Sequence, residues 1–491
     1  IGYVPQQLIF YESLPLADAL RYSSRLRLAG DAGPEEIEAN IDRVLRTVGL
    51  AERRDTLIRD LSGGQKKRVS IAMELLSRPR TLFLDEVTSG LDLGTEQQMM
   101  TLFRSLADDG MTLVCITHYV DSLEACDAVA YLVKGRLAYY GPPDRFQGYL
   151  GIDAIRHVYN KESEREPAEW EKAFRESEDC ETYVRRLVGE NDEDEPAAPP
   201  PAAGGRRAFS WADFRRQFGV LLKRYARILT IDRRNVLVLL GLAPLVAMLI
   251  CLVGGSTEDN EWGRAAKQNI LCFGAMLTMM FLGLFGAIRE IVKELDVYRH
   301  ERFINLQILP YLLSKVVPLA AVGAIQALAL TAIVNAWGGL EAGVLLQQFL
   351  VLLLVSLVGT MMGLAISAGA PSSDWAVMSM IVVVIPQLLF AGAILKLRGA
   401  SEWIGQAFVA GYWAHAALSA MLPEATKPFL PARPEFPAVA AAAVLLAHAT
   451  VYGLIATALL ARKDGPGGLR RAAASAAATL LARRPASRPP A

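Results

Sequence analysis

The chain has 491 residues, room for two or three domains, and its 51 Lys and Arg balance its 51 Asp and Glu to a formal net charge of zero. That balance, without any basic groove of interleaved aromatics, gives no support for a nucleic-acid partner. The five cysteines, Cys115, Cys126, Cys180, Cys251 and Cys272, show neither metal-ligand spacing nor a paired disulfide framework. Hydrophobic residues make up 52% and charged residues 21%, unevenly spread. Residues 1–230 interleave charge with apolar residues, whereas from Asn235 onward long uncharged runs dominate, the composition of a membrane domain.

In chain order, Ile1-Gly2-Tyr3-Val4-Pro5-Gln6 is strand-like and does not begin with methionine, as if cut in mid-domain, so a fragment without a signal peptide is expected. Residues 1–150 alternate short apolar runs with helical patterns, as an α/β domain does. Leu82 to Leu84 and Leu113 to Ile116 read as buried parallel strands. Gln65 to Leu76 has helical spacing, with Val69, Ala72, Met73 and Leu76 on one face, and Ala128 to Tyr140 reads as a hairpin turning at Lys134-Gly135. Residues 151–208 form an acidic and Pro/Ala-rich linker: a helix near Pro167–Val188, the acid run Glu190 to Glu195, then Pro196 to Gly205.

Residues 209–230 read as an amphipathic connecting helix, with Phe214, Phe218, Leu221 and Leu222 on one face. It is either a surface helix of the soluble domain or a helix lying on the membrane, and its place before the first span favours the second. Six spans follow within residues 235–462, at roughly 235–254, 269–289, 311–336, 344–368, 375–396 and 437–461. Arg289, Lys293, Arg299, Arg302 and Lys315 mark one loop as cytoplasmic, and Arg462, Lys463, Arg470, Arg471, Arg483 and Arg484 mark the tail, residues 463–491, likewise. An even span count puts the soluble domain and both termini on that same side. The tail reads as disordered, either a passive anchor of topology or a segment that clings to anionic lipid.

Three places carry chemistry. Leu61-Ser62-Gly63-Gly64-Gln65 opens a helix, where free N–H groups, the helix dipole and close backbone approach suit a phosphate; a glycine-rich helix start with no ligand is the plain alternative. Thr81 to Glu86 is an apolar strand ending in two carboxylates, where α/β sheets bind ligands. There Asp85 suits magnesium, held through water, and Glu86 suits polarising the water that attacks phosphorus, the alternative being an ordinary strand end in solvent. Gln6 ends the first strand within reach of both metal and water, Ser89-Gly90-Leu91-Asp92 follows the carboxylates, and His118 ends the next strand, placed to hold the attacking water.

The order of these features resembles the ATP-binding cassette family: the Gln6 loop, the signature Leu61–Gln65, the Walker B strand ending in Asp85 with catalytic Glu86, the D-loop Ser89–Asp92 and the switch His118. The resemblance implies a partial α/β P-loop NTPase-type cassette followed by an all-α six-helix transmembrane domain, with ATP and Mg2+ as cofactors. Nucleotide contacts fall to Gln6, Ser62, Gly63, Gly64, Gln65 and Asp92, and metal contacts to Asp85 and Gln6. A cassette placed before the membrane domain is similar to the G subfamily of half-transporters, whose two cassettes clamp ATP head to tail. A second copy or a related half-transporter is therefore the expected partner. The stretch Arg289, Glu290, Lys293 and Glu294 after the second span matches the segment that transmits motion in relatives; its i,i+4 neighbours are like-charged, which disfavours pairing along that spacing.

The pattern G-x-x-x-x-G-K-[ST] is absent, and its place in the family lies upstream of Ile1, so as it stands the polypeptide is expected to bind ATP poorly. Val87 stands where the family usually has proline, and residues 397–436 hold no cysteine, which suggests a bacterial member. The expectation is an exporter of lipid or hydrophobic small molecules in the cytoplasmic membrane, in contact with membrane lipid. The spans show no buried charge pair marking an ion path. Met276, Met280, Pro386 and Gln387 are candidates to line the translocation path, against ordinary helix packing. The rival is a non-transporting regulatory or scaffold membrane protein with a degenerate cassette.

Overall fold

A computed structural model describes residues 1–27, 32–117, 120–152, 158, 165–185, 210–254, 260–303, 306–338, 344–394, 397–423 and 437–463. The acid run Glu190 to Glu195, the segment Pro196 to Gly205, residues 424–436 of the last loop and the tail beyond Lys463 lie outside the described residues. The chain divides into two units, Ile1–Ser210 and Trp211–Ala491.

In the first unit the apolar runs pair in parallel: β1 (Gly2–Val4), β2 (Thr81–Asp85) and β3 (Thr112–Ile116), in that spatial order. Val4 pairs with Leu84, Leu84 with Cys115, and Asp85 with Ile116. Helices α1 (Leu16–Arg27), α2 (Pro34–Thr47), α3 (Gly63–Leu75) and α4 (Leu93–Asp108) supply the core with Leu20, Ile41, Ile71 and Met99 beside Val4, Leu82 and Leu84. A Cβ on Gly2 would sit 2.8 Å from Leu82 Cδ1, so a larger residue there requires the Leu82 side chain to shift. The strands were expected to be buried on both faces. Instead they alternate, and Tyr3, Phe83, Val114 and Ile116 are exposed, because the helices among the described residues cover one face only.

The expected helix at Gln65 begins two residues earlier. Its buried set includes Ile71 and Glu74, and Glu74 pairs with Arg27 at 2.7 Å with both side chains nearly enclosed. The hairpin forms as read, β4 (Val129–Val133) with β5 (Arg136–Gly141). Lys134 and Gly135 have φ of +47° and +82°, the left-handed pair that matches strand twist in a two-residue turn. Tyr139 of β5 packs against Phe146 of α5 (Pro143–Leu150) and Phe174 of α6 (Pro167–Arg175), with centroids 5.0 and 6.0 Å apart. The helix expected to run near Pro167–Val188 ends at Arg175, where Ser177 starts a new turn by accepting the Cys180 N–H.

The second unit is helical: α7 (Trp211–Ile231), α8 (Arg233–Gly254), α9 (Glu261–Ala287), α10 (Leu295–Phe303), α11 (Ile308–Gly338), α12 (Leu345–Gly369), α13 (Ser373–Leu389), α14 (Ala400–Phe408), α15 (Ala410–Ala420) and α16 (Ala438–Lys463). By length and composition, α8, α9, α11, α12 and α16 are long and apolar enough to cross a membrane; α13 is apolar but shorter. The fifth expected span, 375–396, thus becomes a 17-residue helix ending at Leu389. At 1.5 Å per residue it rises about 25 Å, short of the ~30 Å hydrocarbon core. Gly392 and Gly399, with φ of +69° and +57°, sit in the bend that leads to α14.

The connecting helix α7 has a packing partner within its own unit. It packs along α11, burying Gln217, Val220, Leu221, Arg224 and Tyr225, and Gln217 accepts the Gln307 N–H at 2.8 Å. Helices α9 and α12 meet most closely. A Cβ on Gly283 would stand 2.2 Å from the Ser356 carbonyl oxygen, and one on Gly359 2.2 Å from that of Met280. Gly363 repeats the approach one turn later, 2.7 Å from the Leu284 carbonyl oxygen.

Candidate functional site

The carboxyl end of β2 turns sharply. Glu86 takes φ +49°, a left-handed value that a residue with a side chain reaches at a cost of roughly 1–3 kcal/mol. Its N–H donates to the Ile116 carbonyl and its own carbonyl accepts the Ser89 N–H, each at 3.0 Å, so both sides of the strained residue are anchored. Gln6 Nε2 donates to Glu86 Oε2 at 2.5 Å, and Tyr3 Oη donates to Asp85 Oδ2 at 2.9 Å. Partial desolvation of its hydroxyl, reinforced by the bond to Asp85 and by its charge, pushes the Tyr3 phenol up to about 12 although the ring remains exposed. The structure therefore brings Gln6, Asp85 and Glu86 together at one end of the sheet, as expected, and adds Tyr3. Sequence reasoning missed Tyr3 because its role depends on the β1–β2 register; its one signal was alternation with Gly2 and Val4.

Ser62 is the N-cap of α3. Its hydroxyl accepts the Gln65 N–H at 3.4 Å, and the Gln65 side chain accepts the Ser62 N–H at 3.0 Å, a reciprocal capping box. Asp92 caps α4, accepting from Thr95 N at 3.0 Å and Thr95 Oγ1 at 2.6 Å. Those two bonds hold its carboxyl below the usual range. Lys67 donates to the Ser89 carbonyl, tying α3 to the loop after the two carboxylates, and its burial pulls its ammonium down. His118 lies outside the described residues; its neighbour Thr117 has Oγ1 3.5 Å from Thr88 Oγ1.

The two signature glycines differ. A Cβ on Gly63 meets nothing within 4 Å, whereas one on Gly64 would stand 2.6 Å from Thr95 Cγ2. Gly64 is therefore needed for packing of α3 on α4, and Gly63 leaves room for a ligand. We expect Gly64→Ala to lower the melting temperature and Gly63→Ala to leave it unchanged while weakening nucleotide turnover. Equal thermal shifts in the two variants would refute this division.

The donor set fits magnesium bound mainly through phosphate and water. Asp85 offers a carboxylate, and Gln6, with Nε2 engaged by Glu86, keeps its amide oxygen as an acceptor. Among the described residues no group of three or more His, Cys, Asp and Glu side chains gathers, as an all-protein cage would require.

In the second unit, Met276 and Met280 are packed in the bundle core with Met279, Leu284, Val355 and Met362. Gln387 is buried and accepts the Gly411 N–H at 3.0 Å, and the Pro386 carbonyl accepts the Phe390 N–H. These four candidates are thus packing and capping groups within one copy of the chain. Of the stretch that follows α9, Arg289 and Lys293 are exposed, and Lys293 pairs with Glu290 at i,i+3 spacing. Glu294 is enclosed, bound by Lys315 Nζ and the Tyr311 hydroxyl at 2.6 Å each, with Lys315 also 4.2 Å from the centre of the Tyr225 ring. Arg224 forks onto Glu301, with Nη2 to Oε2 at 3.0 Å. One sequence expectation is corrected here: Lys315 is not a loop charge but lies within α11, in a buried ion pair with Glu294 of the turn after α9. The pair joins residues 21 positions apart, beyond any local spacing rule.

Residues 1–89 match the family model for the ABC transporter, and residues 216–422 match that for the ABC-2 type transporter. The chain is 30% identical over 416 residues to the ABC transporter ATP-binding/permease protein Rv1747 of Mycobacterium tuberculosis, covering 81% of this chain and 46% of that protein. It is 25% identical over 454 residues to the mouse broad substrate specificity ATP-binding cassette transporter ABCG2, covering 82% and 68%. It is 27% identical over 431 residues to the Drosophila protein white, covering 80% and 61%. The chain spans about half the length of the mycobacterial relative. Cassette first and ABC-2 membrane domain second, this membrane protein carries the two domains of an ABC transporter in an arrangement similar to that of the G-subfamily half-transporters.

Proposed function

We propose that the chain is the ATP-hydrolysing half of a dimeric exporter that moves lipid or hydrophobic small molecules out across a bacterial cytoplasmic membrane. The observation that carries this reading is the paired geometry of Gln6 with Glu86 and Tyr3 with Asp85 at the end of the parallel sheet. Glu86 takes the proton of the attacking water, and Gln6, bonded to its carboxylate, fixes its orientation. Bound magnesium, held by Asp85 and Gln6, would neutralise charge that develops on the phosphates. Ser62 and the free N–H groups at the start of α3 receive the γ-phosphate of the nucleotide held by a second copy or a related half-transporter. Residues 289–294 then transmit cassette closure to the spans. Apolar side chains left exposed in a single copy, among them the stacked Phe281 and Phe285, are better suited to line the path than Met276 and Met280.

The test is Glu86→Gln in the natural full-length protein in vesicles. ATP turnover is expected to fall about 10²- to 10⁴-fold, with export falling alongside. Turnover and export both at the parent level would overturn the assignment.

A further inference from the structure

Helix α9 ends at Ala287, yet helical backbone resumes at residues 292–294 and continues as α10. At the break, the N–H groups of Ile291 and Val292 have lost the carbonyls four residues back. Both donate instead to one atom, Ser367 Oγ of α12, at 3.0 Å each. A hydroxyl oxygen has two lone pairs, and both are used. Ser367 and Ile291 are fully buried, so no water is at hand to replace the hydroxyl. The approach is prepared one turn earlier on α12, where a Cβ on Gly363 would stand 2.9 Å from Ala287 Cβ and 3.2 Å from Ile288 N. The turns on either side are closed by their own bonds, Glu290 N to the Ala287 carbonyl and Glu294 N to the Ile291 carbonyl. At the bend, the amides of Ile291 and Val292 depend on another helix. Their other route to satisfaction is to straighten, restoring helical bonds to the carbonyls of Ala287 and Ile288.

We propose that Ser367 is a positioning residue that holds the α9–α10 elbow bent and joins it to α12, so that movement of residues 289–294 is carried into the bundle rather than absorbed by helix straightening. This rests on the ATP-driven transport proposed above.

The test is hydrogen exchange on the full-length protein in nanodiscs, with and without ATP and vanadate. Ser367→Ala is expected to raise exchange of the Ile291 and Val292 amides about tenfold, while the middle of α9 and α12 keeps the parent protection. In the parent, nucleotide trapping is expected to change exchange in the elbow and in α12 together. In Ser367→Ala the change should stop at the elbow, with basal ATP hydrolysis retained. Ser367→Thr, which keeps the hydroxyl, should restore both behaviours. Parent-level exchange at Ile291 and Val292 in Ser367→Ala overturns the proposal, as does an undiminished response of α12. Should Ser367→Ala fail to accumulate, Ser367→Cys, close in volume and a weak acceptor, is read by the same exchange criteria. A parent protein that neither hydrolyses ATP nor responds to it defeats the transport reading instead, and the amide exchange still decides whether Ser367 holds the bend.

Discussion

Gly359→Val is expected to abolish accumulation of folded protein in the membrane. A Cβ at this position would lie 2.2 Å from the Met280 carbonyl oxygen, where no flexible side chain can yield. The neighbouring contact is reciprocal, with Gly283 against the Ser356 carbonyl. The two helices would have to part by more than an ångström along the most closely packed seam of the bundle. Overpacking a well-packed core, where side chains and backbone can still shift, costs about 1–3 kcal/mol. Here the obstacle is backbone on both sides, and dispersion between helices is the main attraction left once both are in lipid. Gly219→Val is the control, a helical glycine whose Cβ would meet nothing within 4 Å. Equal yields of the two variants, measured by size-exclusion fluorescence, would show that the seam is not what holds α9 to α12.

Lys315→Met is expected to destabilise the second unit by ~3–5 kcal/mol, because it leaves the Glu294 carboxylate buried without a counter-charge. Both side chains are about 5% exposed or less, so neither can turn out to water. Adding Glu294→Gln removes the charge but keeps an acceptor for the Tyr311 hydroxyl. The double variant should therefore recover most of the lost stability, since a buried pair contributes little net over a neutral replacement. Thermal unfolding in detergent of the parent, both single variants and the double variant gives the coupling. A double variant no more stable than Lys315→Met alone would mean that packing around the lysine stem matters and the charge does not.

Much of the cassette was legible because its chemistry is local. Strand, turn and helix start follow one another within a few residues, and Ser62 with Gln65 or Lys134 with Gly135 declare their conformations in the sequence itself. What stayed hidden depends on partners far along the chain. Tyr3 reaches Asp85 only through strand register, Lys315 reaches Glu294 across two helices, and Ser367 serves amides 75 and 76 residues away. The end of α13 was misplaced for another reason. Ala393 and Ile394 keep the apolar composition going after the backbone has turned at Gly392, and hydropathy does not register φ. The close seam had a readable sign, Gly359-x-x-x-Gly363, which span counting passed over.

The reciprocal bonds between Ser62 and Gln65 fix the loop ahead of α3 without any ligand. The conformational entropy of that loop is surrendered during folding, so an arriving phosphate has little ordering left to impose. In the dimer proposed above, a segment preorganised in this way would serve as a rigid jaw, leaving the free energy of nucleotide capture for drawing two subunits together.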